Sequence, residues 1–271
     1  MKPLIIIPAR YNSSRFPGKM LHEMNGKPLI WWTALQASLT GYATFVATDH
    51  DGIAEAVSDL NVGVVRTSSK CRNGTERVAE AYEKLASGNP DILNEYDMVI
   101  NWQGDNPLMP RMFAELMAQT YKVYAERGVD FDIITPYIYF HQNDSKALLE
   151  KRKNDIVGGT TVVTDTSSNA LYFSKEVLPH ISDINNIFST PVKYHVGAYC
   201  YKPAALFEYA LLAQTPLEKE EGLEQLRYVE NGMKVKCIPM PYTGKIYNEV
   251  NNPEDVAEVE ETLKNNDIEM A

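Results

Sequence analysis

Residues 4–19 read LIIIPARYNSSRFPGK, and this stretch decides the fold. Leu4, Ile5, Ile6 and Ile7 form an unbroken aliphatic run that stops at Pro8. A run of that length, rich in β-branched side chains, predicts a strand buried on both faces of a parallel sheet. The loop that follows carries Arg10, Arg15 and Lys19, interleaved with Asn12, Ser13, Ser14, Pro17 and Gly18. Cations and small polar residues at the carboxyl end of a buried strand describe a seat for polyphosphate. Arginine offers phosphate oxygens a planar fork, and lysine a compact charge.

The rest of the chain sharpens that reading. Its formal net charge is −10 and its pI about 5.1, so the basic loop stands against the general trend. Such a balance argues against a nucleic-acid polymer or an anionic membrane as partner and leaves room for a mononucleotide in a local basic pocket. Gly18-Lys19 is like the end of a Walker A loop, but Ser13 stands where its first glycine belongs and Met20 replaces its hydroxyl residue. No G-x-G-x-x-G follows a candidate strand, so a dinucleotide site is unsupported. Cys71, Cys200 and Cys237 are few and far apart, and imply neither a disulfide framework nor a structural zinc site. The amino terminus is too short in apolar residues for a signal peptide, and no run approaches a membrane span. A reducing cytoplasm is the expected setting.

At 271 residues one large domain, or one domain with a subdomain, is expected. Its coarse order is strand, helix, strand at short intervals, the mark of a doubly wound α/β sheet. A helix is predicted over 29–39, with Trp31 and Trp32 as packing or interface residues. Strands are predicted over 45–47 and 62–65, with a helix over 53–60 between them. His50 and Asp51 read as caps of that helix, and Asp49 stays open. CRNGTERVAE, from Cys71, predicts a helix that Thr75 could cap. A buried strand over 98–102 ends at Gln103-Gly104-Asp105-Asn106-Pro107, where a carboxylate could hold a divalent cation beside polyphosphate. Next come a helix over 112–127, a strand over 132–139, a polar helix or insertion over 141–153 and a hairpin of 160–164 with 170–173. A loop over 182–191 leads to YHVGAYCYKP, which reads as one strand. A helix starting at Thr215-Pro216 carries Glu218, Glu220, Glu221 and Glu224, ordinarily a solvated face. A strand over 235–238 and a closing helix from Glu254 through Leu263 complete the chain, with a polar tail after Lys264.

The run PARYNSSRFPGKML, followed by NGKPLI, strongly resembles the opening of the 3-deoxy-manno-octulosonate (Kdo) cytidylyltransferases, a family of sugar nucleotidyltransferases. NGTER is similar to that family's S-G-T-E-R, Gln103-Gly104-Asp105 to its Q-G-D-E-P, and ALYFSK to its ALYFSR. His195 and Tyr199 match its H-x-G-x-Y-x-Y, and LEQLR at 223–227 is reproduced letter for letter. The resemblance runs in order from Ile5 to Asp255.

The resemblance implies a nucleotidyltransferase fold: a Rossmann-like, mostly parallel sheet flanked by helices, with a smaller β-containing acceptor and dimerisation region. The nucleotide-binding half would span about 1–125 and the acceptor half about 126–255. It implies transfer of CMP from CTP to an acidic sugar with loss of pyrophosphate, Mg²⁺ as cofactor, a homodimer, and a place in lipopolysaccharide biosynthesis. Pro8, Ala9, Arg10, Arg15, Lys19, Asn73, Gly74, Arg77 and Gln103 would bind the nucleotide, with Arg10, Lys19 and Asp105 catalytic. Asp105 and Asn251 would hold the metal, and His195, Tyr199, Glu224 and Gln225 would face the acceptor. Asn106 and Asn251 replace an acidic residue of the pattern, Lys175 replaces an Arg, and no W-D-R follows ALYFSK. The losses of basic residues fall on the sugar side, so the acceptor stays open between Kdo, its 8-amino analogue and another acidic sugar. A nucleotide-sugar glycosyltransferase would normally show Asp-x-Asp, of which 103–105 supplies one Asp. A non-catalytic nucleotide-binding homologue would count Asn106 and Asn251 as marks of decay; intact Arg10, Arg15, Lys19 and Asp105 argue against it.

Overall fold

In the computed structural model the aliphatic run is strand β1 (Pro3–Ala9), buried at every position. The structure describes residues 1–13, 15–154, 158–185, 192–242 and 249–265. Ser14, residues 186–191 of the expected loop, Tyr247 and the tail beyond 265 lie outside the described residues. Two compact units emerge: residues 1–120, 200–210 and 246–271 form the first, and residues 121–199 and 211–245 the second.

In the first unit β1 is followed by a short 3-10 turn (Lys19–Leu21), a ribbon of β2 (Glu23–Met24) and β3 (Lys27–Pro28), α1 (Leu29–Ser38), β4 (Ala43–Thr48), α2 (Asp51–Ala56) and β5 (Gly63–Arg66). Then come α3 (Gly74–Gly88), the single turn α4 (Ile92–Glu95) and β6 (Met98–Trp102). β1 pairs in parallel with β4 on one side and β6 on the other, and β4 pairs in parallel with β5. Parallel strands need crossovers, and α1, α2 and α3 supply them. The doubly wound expectation is met, and the carboxyl ends of β1, β4 and β6 open into the loops at Arg10, Asp49 and Gln103.

Local chemistry sets these elements. α1 buries Leu29 through Ala34; the Trp31 indole donates to Asp59 (2.8 Å) and the Trp32 indole to the Met24 carbonyl (2.7 Å), so both tryptophans pack. His50 caps α2, accepting from the Gly52 amide at 3.1 Å. That helix ends at Ala56 instead of continuing to Leu60, because residues 58 and 60 close tighter three-residue bonds to Glu55 and Val57. α3 is capped by Asn73 and not by Thr75: the Asn73 side chain accepts from the Glu76 amide at 2.8 Å, while Thr75 is fully buried. An Asx side chain there satisfies an amide of the first turn, which stabilises the helix by about 1 kcal/mol.

α5 (Arg111–Glu126) runs into the second unit, which holds β7 (Ile133–Tyr139), α6 (Gln142–Lys153), β8 (Thr160–Thr164), β9 (Ala170–Ser174) and β10 (Lys193–His195). β7 and β8 both pair antiparallel with β10, and β8 with β9 forms the expected hairpin. β11 (Ala198–Tyr201) and α7 (Pro203–Leu211) follow; α8 (Pro216–Glu221), α9 (Leu226–Glu230) and β12 (Val235–Pro239), parallel to β7, belong to the second unit. α10 (Asp255–Asn265) belongs to the first.

Two expected elements are each split. YHVGAYCYKP forms β10 and β11: the Val196 amide still bonds the Pro136 carbonyl (3.1 Å) in register with β7, but Pro136 has no N–H to return the bond, and the ladder ends there. The helix from Thr215 is α8 and α9, because Gly222 adopts a left-handed conformation (φ 62) that ends the first. Its four acids therefore do not share one face. Glu218 is 4% exposed and takes two bonds from the fully buried Arg227, at 2.7 and 2.5 Å. Glu221 accepts from the Ser174 hydroxyl (2.7 Å) and the Lys175 amide (3.0 Å), tying α8 to β9. No helix among the described residues is long and apolar enough to cross a membrane.

Candidate active site

The first unit gathers the residues expected to bind nucleotide at the carboxyl edge of its sheet. Arg10, Tyr11, Asn12, Ser13, Pro17 and Gly18 line an open cleft of about 590 Å³. Arg10 and Arg15 are exposed there, whereas Lys19 is buried. Gly18 takes a left-handed conformation (φ 71) at the start of the turn that carries Lys19 inward. The Lys19 ammonium lies 2.6 Å from an Asp105 carboxylate oxygen, joining the loops after β1 and β6. Gly104 is required for that approach: a Cβ on it would sit 2.7 Å from the Pro8 carbonyl oxygen.

Pro8, Gly74 and Gln103 meet in a second cluster. A Cβ on Gly74 would lie 3.0 Å from the Gln103 amide oxygen and 3.3 Å from the Pro8 ring. Beside them the Asn73 amide donates to the Tyr209 hydroxyl at 2.7 Å, so its side chain both caps α3 and anchors α7. Ala9 is fully buried, which leaves its backbone for any contact with nucleotide. Arg77 is placed differently from a nucleotide-facing side chain. It is 2% exposed, donates to Thr67 (2.6 Å) and pairs with Asp49 (3.2 Å). Asp49 in turn accepts from the Tyr11 amide at 3.1 Å, so Arg77 braces the loop instead of facing it.

The second half of the polar cluster comes from residues 249–251. The Val250 amide donates to the Asp105 carbonyl (2.9 Å), and Arg15 donates to the Asn251 side-chain oxygen (3.2 Å). Glu249 was not singled out from the sequence. Its carboxyl is pushed up to about 7, first by burial and then by the negative Asp105, against the pull of Lys19. Its sequence signal is an acid two positions before Asn251.

These residues suit a divalent cation. Asp105, Glu249 and Asn251 offer hard oxygen donors, the type magnesium takes, with phosphates and water completing its shell. Among the described residues no group of three His, Cys, Asp or Glu side chains forms a self-sufficient metal cage. Asn106, next to Asp105 and 1% exposed, has neither side-chain polar atom hydrogen-bonded within the protein. Buried orphans of that kind mark places where a further polar group belongs.

In the second unit His195, Tyr199 and Tyr228 form an aromatic line, with ring centroids 5.5 and 6.2 Å apart. The Thr135 hydroxyl stands 2.7 Å from both the Ala198 carbonyl and His195 Nε2. Its single proton goes to the carbonyl, so this network assigns the imidazole proton to Nε2 and makes Nδ1 the acceptor nitrogen. Burial lowers His195 to about 3, so it is neutral at physiological pH. Gln225 is 4% exposed and Glu224 half-buried, both between the two helices that the Glu218–Arg227 pair joins.

The His195 shift has a measurable sign. Its native form stays neutral while the unfolded chain takes up a proton below about pH 6.5, so stability falls as pH drops from there toward 3. Between pH 7 and 5 the wild type is expected to lose about 2 kcal/mol more than His195→Gln. Urea unfolding at the two pH values checks this; equal losses in both proteins would contradict the buried neutral imidazole.

Residues 4–235 match the family model described as "Cytidylyltransferase". The 3-deoxy-manno-octulosonate cytidylyltransferase of Maricaulis maris is 36% identical over 264 residues, covering 96% of each chain. The 8-amino-3,8-dideoxy-manno-octulosonate cytidylyltransferase of Shewanella frigidimarina is 37% identical over 262 residues, covering 96% of this chain and 98% of that one. The solved structure of a CMP:2-keto-3-deoxy-manno-octonic acid synthetase complexed with CTP superposes with a TM-score of 0.80 at 27% identity, covering 98% of this chain and 100% of that one. A 4-diphosphocytidyl-2C-methyl-D-erythritol synthase from Anaerococcus prevotii shares the fold alone, at TM-score 0.56 and 11% identity.

Proposed function

The chain belongs to the cytidylyltransferase family, and from that premise we propose that it transfers CMP from CTP to an acidic sugar, releasing pyrophosphate. The acceptor is 3-deoxy-manno-octulosonate or its 8-amino analogue; relatives named for each are about equally similar to this chain. The observation that carries the reading is the cluster of Arg15, Lys19, Asp105 and Asn251 at the carboxyl edge of β1 and β6.

A sugar hydroxyl oxygen bonds to the α-phosphorus, the bond from that phosphorus to the bridging oxygen breaks, and pyrophosphate leaves. Such a transfer asks the protein mainly for alignment and charge neutralisation. Arg10 and Arg15 receive the triphosphate from the open side of the cleft. Lys19, held inside, meets the charge that grows on the reacting phosphoryl group and its leaving oxygen. Pro8, Ala9, Gly74 and Gln103 hold the cytidine, with Asn73 fixing the segment that carries Gly74. Magnesium, held by Asp105 and the 249–251 segment, would neutralise phosphate charge when bound. On the sugar side, neutral His195 accepts from a hydroxyl through Nδ1, and Tyr199, Glu224 and Gln225 bond further hydroxyls. The family resemblance also supports a homodimer working in the cytoplasm.

Pyrophosphate release from CTP and Mg²⁺ tests the reading, with Kdo, its 8-amino analogue and a sialic acid supplied in parallel. Release with one of the first two is expected. Release with the sialic acid alone would retain the chemistry and overturn the acceptor, and CTP binding without release from any of them would overturn catalysis.

A further inference from the structure

We propose that Glu249 supplies the second carboxylate of the divalent-cation site, the role that Asn251 by its position would be expected to fill. The inference rests on the reading above in one respect, that a divalent cation accompanies CTP.

The backbone places Glu249 for this. The Val250 amide is hydrogen-bonded to the Asp105 carbonyl at 2.9 Å, and its side chain is 1% exposed. Glu249 directly precedes the residue tethered in this way, which brings it beside the Asp105 loop. The Asn251 and Asn252 amides donate to the Asp255 carboxylate at 2.8 and 2.7 Å, which pins the segment to the start of α10. Glu249 is half-buried, lies within electrostatic reach of Asp105, Lys19 and Arg15, and hydrogen-bonds to the Asn251 side chain.

Asn251 offers only a neutral donor. Its side-chain oxygen, the one atom with which an amide ligates a hard cation, already shares one of its two lone pairs with Arg15 at 3.2 Å. It thereby orients a phosphate-binding cation and the Glu249 carboxyl together. Asp105 and Glu249 are two like charges brought to one place, and Lys19 sits on Asp105 alone at 2.6 Å. A second carboxylate with only distant cations is what a divalent ion bridging to phosphate would complete. Replacing the acid expected at 251 by Asn therefore costs the site no net charge, because Glu249 restores it two residues earlier. Asn106, the next residue after Asp105, keeps both side-chain polar atoms buried without a partner.

The test uses Mn²⁺ as probe, titrated into the full-length protein with saturating CTP and no acceptor, with free Mn²⁺ followed by electron paramagnetic resonance. Glu249→Gln is expected to weaken Mn²⁺ binding about tenfold or more, and Asn251→Ala less than threefold. CTP affinity in EDTA should be unchanged or tighter in Glu249→Gln, since a negative charge near the triphosphate is gone; that measurement shows the pocket is intact. Adding Asn251→Asp to Glu249→Gln returns a carboxylate and should restore most of the Mn²⁺ affinity. Wild-type Mn²⁺ affinity in Glu249→Gln, or no recovery in the double variant, would overturn the assignment. Loss in Glu249→Gln with recovery in the double variant would sustain it even if no acid sugar gave pyrophosphate, an outcome that would sink only the proposed reaction.

Discussion

Lys19→Met is expected to lower kcat/KM for CTP by about three orders of magnitude while the protein stays folded. The lysine is buried at the end of the basic loop, 2.6 Å from Asp105, and is the cation held deepest in the cluster. Removing one preorganised charge-stabilising donor typically costs 100- to 1,000-fold, and here the same change also leaves Asp105 and Glu249 facing each other without their neighbouring cation. Both effects act on the triphosphate, so KM for CTP should rise as kcat falls, while KM for the sugar stays near its original value. Lys19→Arg should rescue little, because a planar fork is bulkier than the buried ammonium it replaces and cannot act as a point charge. Pyrophosphate release kinetics measure all of this, and circular dichroism confirms folding. A loss below about tenfold in Lys19→Met would remove Lys19 from the chemistry.

The largest stability effect is expected from Arg227→Leu. Arg227 is fully buried and gives Glu218 two hydrogen bonds, at 2.7 and 2.5 Å, in a site where Glu218 is 4% exposed. Breaking such a pair leaves a carboxylate in the interior without its counter-charge, at a cost of about 3–5 kcal/mol. Replacing both partners, as in Arg227→Leu with Glu218→Leu, should recover most of that loss, because the uncompensated charge is gone and its desolvation cost with it. Urea unfolding of the two single variants and the double variant measures the coupling. A single variant that loses less than about 1 kcal/mol would show that the pair is not a structural clamp. The same variants should raise KM for the sugar more than KM for CTP, since Glu224 and Gln225 lie between the two clamped helices.

The placement of the residues expected on the nucleotide side was more legible than that of the residues expected on the sugar side, for a physical reason. Most residues expected on the nucleotide side lie at the ends of β1 and β6, and the end of a buried parallel strand is a fixed place once the apolar run is recognised. Lys19 and Asp105 could therefore be set near one another from their order alone, and the structure brings them to 2.6 Å. Sugar-side residues depend on breaks that composition does not announce: the interruption at Val196 and the left-handed Gly222 change which residues share a face. Arg77 shows a different limit, since a buried arginine in a helix reads the same whether its partner is a ligand or Asp49.

By itself the sequence determined the class of the fold and the gathering of cations at one edge of its sheet. An unbroken β-branched run can satisfy its burial only between two covered faces, and cations in an acidic chain need a reason to gather. The tertiary structure alone decided the division of labour among charged residues. Arg77 and Arg227 are spent on Asp49 and Glu218, Asn251 is taken by Arg15, and Glu249 stands beside Asp105. Charge assignments of this kind are made by distances between residues far apart in the chain, and a low-dielectric interior lets only the partners in contact count.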